Sequence, residues 1–106
     1  MNILFVCSKN KWRSRTAETI FKNHPDHDVK SAGTAAGAVI KLTEKHLNWA
    51  DLIFVMERKH EQHIKANFKI KEITEKLIVL DIPDNYKYMD EDLILTLETA
   101  VGPYLI

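Results

Sequence analysis

Along this chain the apolar residues gather in short unbroken runs. Ile3 to Val6, Leu52 to Met56 and Leu77 to Leu80 are continuous hydrophobic stretches of strand length. Such runs, without polar alternation, are the pattern of strands covered on both faces. Val29 to Ala32 is a weaker fourth candidate that leads into the small-residue turn Gly33-Thr34-Ala35-Ala36-Gly37. Between the runs the pattern becomes helical. One helix is predicted from about Arg15 to Asn23, ending ahead of Pro25 as helices before proline tend to do. A second follows Thr43, a suitable N-cap, through Glu44, Lys45, His46, Leu47 and Trp49. A third covers Arg58 to Asn67, and a last one Glu91 to Ala100 before Gly102-Pro103. Strands alternating with helices predict an α/β fold, a three-layer α/β/α arrangement around a central, about four-stranded parallel sheet. No repeat, linker or low-complexity stretch interrupts it, so residues 1–106 read as one domain.

Composition narrows the classes. A hydrophobic fraction of 45% suits a chain that buries a core. A formal net charge of zero argues against a general nucleic-acid binder. The charge is uneven, however. Lys9, Lys11, Arg13 and Arg15 stand near the start, while Asp81, Asp84, Asp90, Glu91 and Asp92 crowd the last third. The single cysteine, Cys7, excludes an intramolecular disulfide and a thiolate-rich metal site. No signal peptide is expected, and no apolar stretch approaches the roughly 20 residues that span a bilayer. The expectation is a cytoplasmic protein in a reducing compartment, with no membrane partner, metal or cofactor. His60 and His63 share a helix face but lack a third ligand, so both are expected as solvated side chains. Trp49 is expected in the core.

The chemistry gathers at the first strand. Cys7 ends that strand and a polar loop follows, Ser8-Lys9-Asn10-Lys11-Trp12-Arg13-Ser14, before helical sequence resumes. A strand–loop–helix connection aims loop N–H groups and the positive end of a helix at one point. A thiol held there is favoured as the thiolate, and Arg13 can fork onto two oxygens of a tetrahedral anion. In parallel sheets, ligands bind beyond the carboxyl ends of the strands. Cys7 lies there after the first strand and Asp81 after the last.

Cysteine, five residues, arginine and serine directly after an N-terminal strand resembles the low-molecular-weight protein tyrosine phosphatase family. Asn10, Ala17-Glu18, Ser31-Ala32-Gly33-Thr34, Leu42-Thr43 and Ala50-Asp51-Leu52-Ile53-Phe54-Val55-Met56-Glu57 match further blocks of that family in the same order. The resemblance implies a metal-independent phosphomonoesterase in which Cys7 attacks phosphorus and forms a phosphocysteine intermediate. It implies that Arg13 and the N–H groups of the loop, Ser8, Lys9, Asn10, Lys11 and Trp12 included, hold the phosphate oxygens. Ser14 would donate a hydrogen bond to the thiolate, and Asn10 and Ser31 would brace the loop. An aspartate after the last strand would protonate the leaving oxygen. Counting from the strand favours Asp81, with Asp84 as the alternative. The implied substrate is a phosphorylated protein or a small aryl phosphate.

Several positions depart from the family pattern. Lys9 replaces a loop glycine, which would strain the backbone if that position needed a positive φ. Trp12 stands where many members carry a second cysteine, and Arg15 where a proline often begins the helix. The segment between Thr34 and Leu42 is short, which leaves Trp12, Tyr86 and Tyr88 as candidate walls for the substrate. Two other functions share the motif: a non-catalytic phosphate-binding module, and an arsenate reductase that borrows an external thiol.

Overall fold

Each apolar run becomes a strand in the computed structural model, which describes residues 1–106. The strands are β1 (Asn2–Cys7), β2 (Asp28–Gly33), β3 (Leu52–Val55) and β4 (Leu77–Val79). They form one four-stranded sheet in the order β2-β1-β3-β4, with every pairing parallel. In this register Cys7 lies opposite Gly33 on β2, and Val6 sits between Ala32 and Val55.

The helices are α1 (Arg13–Phe21), α2 (Glu44–Trp49), α3 (Arg58–Asn67), α4 (Ile73–Lys76) and α5 (Glu91–Val101), followed by a 3₁₀ turn at Gly102–Leu105. Thr43 caps α2 as expected. Its hydroxyl accepts from the His46 N–H, and its own N–H donates to the His46 ring. The first helix begins at Arg13 rather than Arg15, so Arg15 is inside α1 and not at its first position. Helix α4 and the 3₁₀ turn were not foreseen, because four residues each are too few to display a helical period. Lys76, at the end of α4, donates from Nζ to the carbonyls of Leu47 and Ala50, at 2.7 and 2.8 Å, and so closes the C-terminal end of α2.

Strand alternation splits the core into two layers. Ile3, Phe5 and Cys7 of β1 face α1 and α5, where Ala17, Leu93, Leu97 and Val101 pack with Phe54 and Met56. Leu4 and Val6 face the other way, toward Leu47 of α2 and Ile64 of α3, with Ile53 and Val55 between them. This is the three-layer α/β/α arrangement. Trp49 is half-buried at the edge of the second layer, with the Lys30 ammonium 4.4 Å from its ring centre. The chain moves from β1 to β2 on one side and then crosses to β3 on the other, so β1 and β3 diverge at the switch point where such sheets bind ligands.

Gly33 is fixed by space. A Cβ built on it would stand 2.5 Å from the Ser8 carbonyl oxygen and 2.8 Å from the Asn10 nitrogen. Only glycine lets the end of β2 lie this close to the loop after β1.

Candidate active site

The loop from Ser8 to Trp12 is held from outside by the segment after β2. Thr34, Ala35 and Val39 donate from their backbone N–H groups to the carbonyls of Cys7, Ser8 and Lys9 at 3.0, 2.8 and 3.0 Å. The loop carbonyls are thereby occupied, while the amides of Ser8 through Arg13 make no backbone hydrogen bond. A run of uncommitted amides at the start of a helix is the backbone equipment of an anion cradle. The strained position in the loop is Asn10, with φ 53°, and not Lys9, so the lysine is tolerated without a left-handed backbone. Asparagine accepts that conformation better than most residues.

A chain of side chains sets the hydrogen bond at the sulfur. Asn10 is fully buried and uses every polar atom of its amide. Its Oδ1 accepts from the Ile40 N–H, and its Nδ2 donates to Ser14 Oγ at 2.7 Å and Ser31 Oγ at 2.9 Å. The Ser31 hydroxyl in turn donates to Glu18 Oε1 at 2.5 Å. Because the carboxylate can only accept, Ser31 donates to Glu18 and receives from Asn10. Ser14 Oγ also receives from Asn10 and lies 3.0 Å from Cys7 Sγ, where its hydroxyl is placed to donate to a thiolate. Cys7 itself is 3% exposed.

Arg13 is held just as tightly, at 2% exposure. Its Nη1 donates to Glu57 Oε1 and to the Ile82 carbonyl. Its Nε lies 3.7 Å from Asp84 Oδ1. Burial opposes the charge on Glu57, yet the Arg13 hydrogen bond and charge, with Lys59 and His60, hold its carboxyl below the ordinary carboxylate range. Beneath the loop, His60 Nδ1 accepts from the Glu57 N–H at 3.0 Å. Its proton therefore sits on Nε2, which donates to Ser8 Oγ at 2.9 Å. Burial and the Arg13 and Lys59 charges push the His60 pKa down to about 4, against the opposing pull of Glu57 and Asp84. The neutral ring is the form this contact requires.

Cys7, Ser8, Lys9, Lys11, Trp12, Arg13 and Asp84 line one small cleft of about 40 Å³. Ser14, Asn10 and Ser31 lie behind it. The two candidate acids part here. Leu80 and Ile82 donate from their backbones to Val55 and Met56, pinning alternate residues along the exit of β3. Asp81 between them takes φ 57° and turns its side chain outward, into a separate open depression with Glu57, Arg58, Lys59 and Pro83. Asp84 is brought over Arg13, at the mouth of the cleft. The sequence count that favoured Asp81 ignored this outward turn.

Other expectations need correction. His60 is buried at 1% exposure instead of solvated, and it contacts the loop. Tyr86 packs against the core beside α1 and α5, so it is no cleft wall. Trp12 does line the cleft, while Tyr88 stands with it in a neighbouring depression. Sequence reasoning missed Glu57 and His60, which carry a usable signal: both follow the carboxyl end of β3, beside the end of β1. Glu18 was quoted only as part of a motif, with no contact assigned to it.

The family profile described as low molecular weight phosphotyrosine protein phosphatase matches residues 2–46. Among curated proteins, a protein-arginine-phosphatase of Bacillus subtilis is 33% identical over 95 aligned residues, covering 64% of this chain. The chain spans 63% of the length of that relative. Among solved structures, the YwlE arginine phosphatase of Geobacillus stearothermophilus superposes with a TM-score of 0.77 at 25% identity, covering 98% of this chain and 90% of the other. The tyrosine phosphatase Wzb of Escherichia coli K30, in complex with phosphate, gives 0.78 at 24% identity, with 98% and 95% covered, a likeness of fold. Loop motif, sheet order and these matches agree: over residues 2–46 the chain is similar to the low-molecular-weight phosphotyrosine protein phosphatase family, and its fold is that of the solved structures it matches.

Proposed function

We propose that residues 1–106 work as one metal-independent phosphomonoesterase domain in the manner of that family. The observation that carries this reading is the single cleft in which Cys7, Arg13 and Asp84 meet, with the Ser14 hydroxyl 3.0 Å from the sulfur. The Cys7 sulfur attacks phosphorus, forming an S–P bond as the P–O bond to the leaving group breaks. Asp84, in place of Asp81, passes its carboxyl proton to the departing oxygen. Water then attacks the phosphocysteine and gives a proton to the Asp84 carboxylate, the S–P bond breaks, and inorganic phosphate leaves. The loop amides and Arg13 hold the phosphoryl oxygens throughout. Ser14 donates to the sulfur both as it attacks and as it leaves. An unpaired working thiol suits a reducing compartment, the cytoplasm.

We assign the substrate as an aryl phosphate, with phosphotyrosine in a protein first. Lys9, Lys11 and Trp12 line the cleft, and Arg15 stands beside it. This mouth disfavours a cationic guanidine next to the phosphate and offers an aromatic surface to a tyrosine ring. Phosphoarginine is the second reading, because the curated relative is a protein-arginine-phosphatase. The assay is turnover of p-nitrophenyl phosphate in EDTA, followed by phosphotyrosine and phosphoarginine peptides. Cys7→Ser should abolish activity, and Asp84→Asn should lower kcat by about 10²-fold. Asp81→Asn should stay close to wild type. A large loss in Asp81→Asn with none in Asp84→Asn would return the acid role to Asp81. Phosphate binding without any turnover in wild type would favour the non-catalytic binding module.

A further inference from the structure

A second cleft, of about 310 Å³, adjoins the phosphate cradle and is lined by Lys11, Trp12, Arg15 and Tyr88. Lys11 and Trp12 line both clefts, which are therefore contiguous. The far wall is fixed in place. Tyr88 bonds through its hydroxyl to Thr19 Oγ1 at 2.8 Å, and the next residue, Met89, donates its N–H to Thr16 Oγ1 at 2.9 Å. Thr19 lies one helical turn beyond Arg15, which places the Arg15 guanidinium 6.0 Å from the centre of the Tyr88 ring. The Lys11 ammonium stands 5.5 Å from the centre of the Trp12 ring.

These two cations differ from Arg13. Arg13 is paired with Glu57 and approached by Asp84, whereas neither Lys11 nor Arg15 has a carboxylate within 4.0 Å. Each rests on an aromatic face, which orients it and leaves its hydrogen-bond donors open. Two unpaired cations over two aromatic rings, directly beside the cradle, are complementary to a carboxylate on a short, partly apolar stem.

We propose that this cleft is a specificity subsite that takes an acidic side chain, glutamate or aspartate, of the phosphoprotein substrate. The acidic residue lies within about two positions of the phosphorylated one, since extended chain advances about 3.3 Å per residue. The inference rests on the phosphatase reading for the occupant of the cradle. The side chains of Arg15 and Lys11 select the substrate, separately from the Lys11 backbone amide that belongs to the cradle.

The test uses binding, so that it does not depend on turnover. Two peptides carry phosphonomethyl-phenylalanine, a phosphotyrosine mimic that cannot be hydrolysed, flanked either by Glu or by Gln. Their affinities for the wild-type chain are measured by titration calorimetry at low and at physiological ionic strength. The Glu peptide should bind about fivefold tighter, with the preference shrinking as salt rises. Arg15→Gln should abolish the difference between the two peptides, over and above any weakening common to both, while Arg15→Lys should retain most of it. Equal binding of the two peptides, or a preference that survives Arg15→Gln, overturns the subsite and leaves the phosphatase reading intact. Binding of neither peptide overturns the subsite and the phosphotyrosine assignment together, and turnover of p-nitrophenyl phosphate then decides the phosphatase reading separately.

Discussion

At Cys7 the sulfur lies 3.0 Å from the Ser14 hydroxyl, which is tied through Asn10 and Ser31 to the Glu18 carboxylate. Glu18→Gln gives Ser31 a partner that can donate as well as accept, so Ser31 is no longer fixed as the donor. The expected result is a fall in kcat of about tenfold with little change in KM, measured on p-nitrophenyl phosphate. His60 supplies a pH-dependent term to stability. Its folded pKa is about 4 against an ordinary 6.5. As pH falls below 6.5 the unfolded chain takes up a proton that the folded protein refuses, so stability drops with pH and levels off below about 4. The loss should approach about 3 kcal/mol, seen in denaturant melts between neutral pH and pH about 4.5, and His60→Gln should flatten that slope. At this scale the sequence was informative where function depends on local spacing. Cys7, Asn10, Arg13 and Ser14 lie on one loop and a helix start, so they could be read together. Asp84 reaches the cleft and His60 the underside of the loop from across the sheet, and no local spacing shows which aspartate or histidine does so.

At the scale of elements, the loop after β1 takes its shape from the strand beside it. Gly33 ends β2 against the Ser8 carbonyl, and the segment that follows holds the loop carbonyls. In Gly33→Ala the new methyl group meets backbone on two sides, which has no rotamer by which to yield. We expect a loss of about 2 kcal/mol or more in stability and a larger loss of phosphate affinity, since the cradle must shift to make room. Thermal melts with and without phosphate would separate the two, and phosphate stabilisation equal to wild type would refute the second effect. The strands and the longer helices were legible because burial on both faces, or on one stripe, leaves a period in the sequence. The start of α1 was not. Arg13 and Ser14 are polar residues buried for the sake of the site, and a hydrophobic pattern reads them as loop.

For the molecule as a whole, an aromatic column ties the sheet to its outer layer. Phe5 stacks on Phe21 and Phe54 at 5.8 and 5.4 Å, and Tyr104 of the 3₁₀ turn meets Phe54 edge-on at 5.3 Å. Phe54→Ala would open a cavity where β1, β3 and the C-terminal turn meet, at a cost of about 3–5 kcal/mol. That is a large fraction of the stability of a domain this size, and a midpoint near wild type in urea unfolding would contradict it. The sequence by itself determined the parallel sheet, the longer helices between its strands and the Cys7 loop, because hydrophobic period and short-range spacing are local properties of the chain. Only the tertiary structure decided which aspartate lines the cleft with Cys7, which histidine lies under the loop and which cations remain unpaired beside it. Those choices depend on where strand ends far apart in sequence converge, and on the outward turn at Asp81 that leaves Asp84 over the cleft.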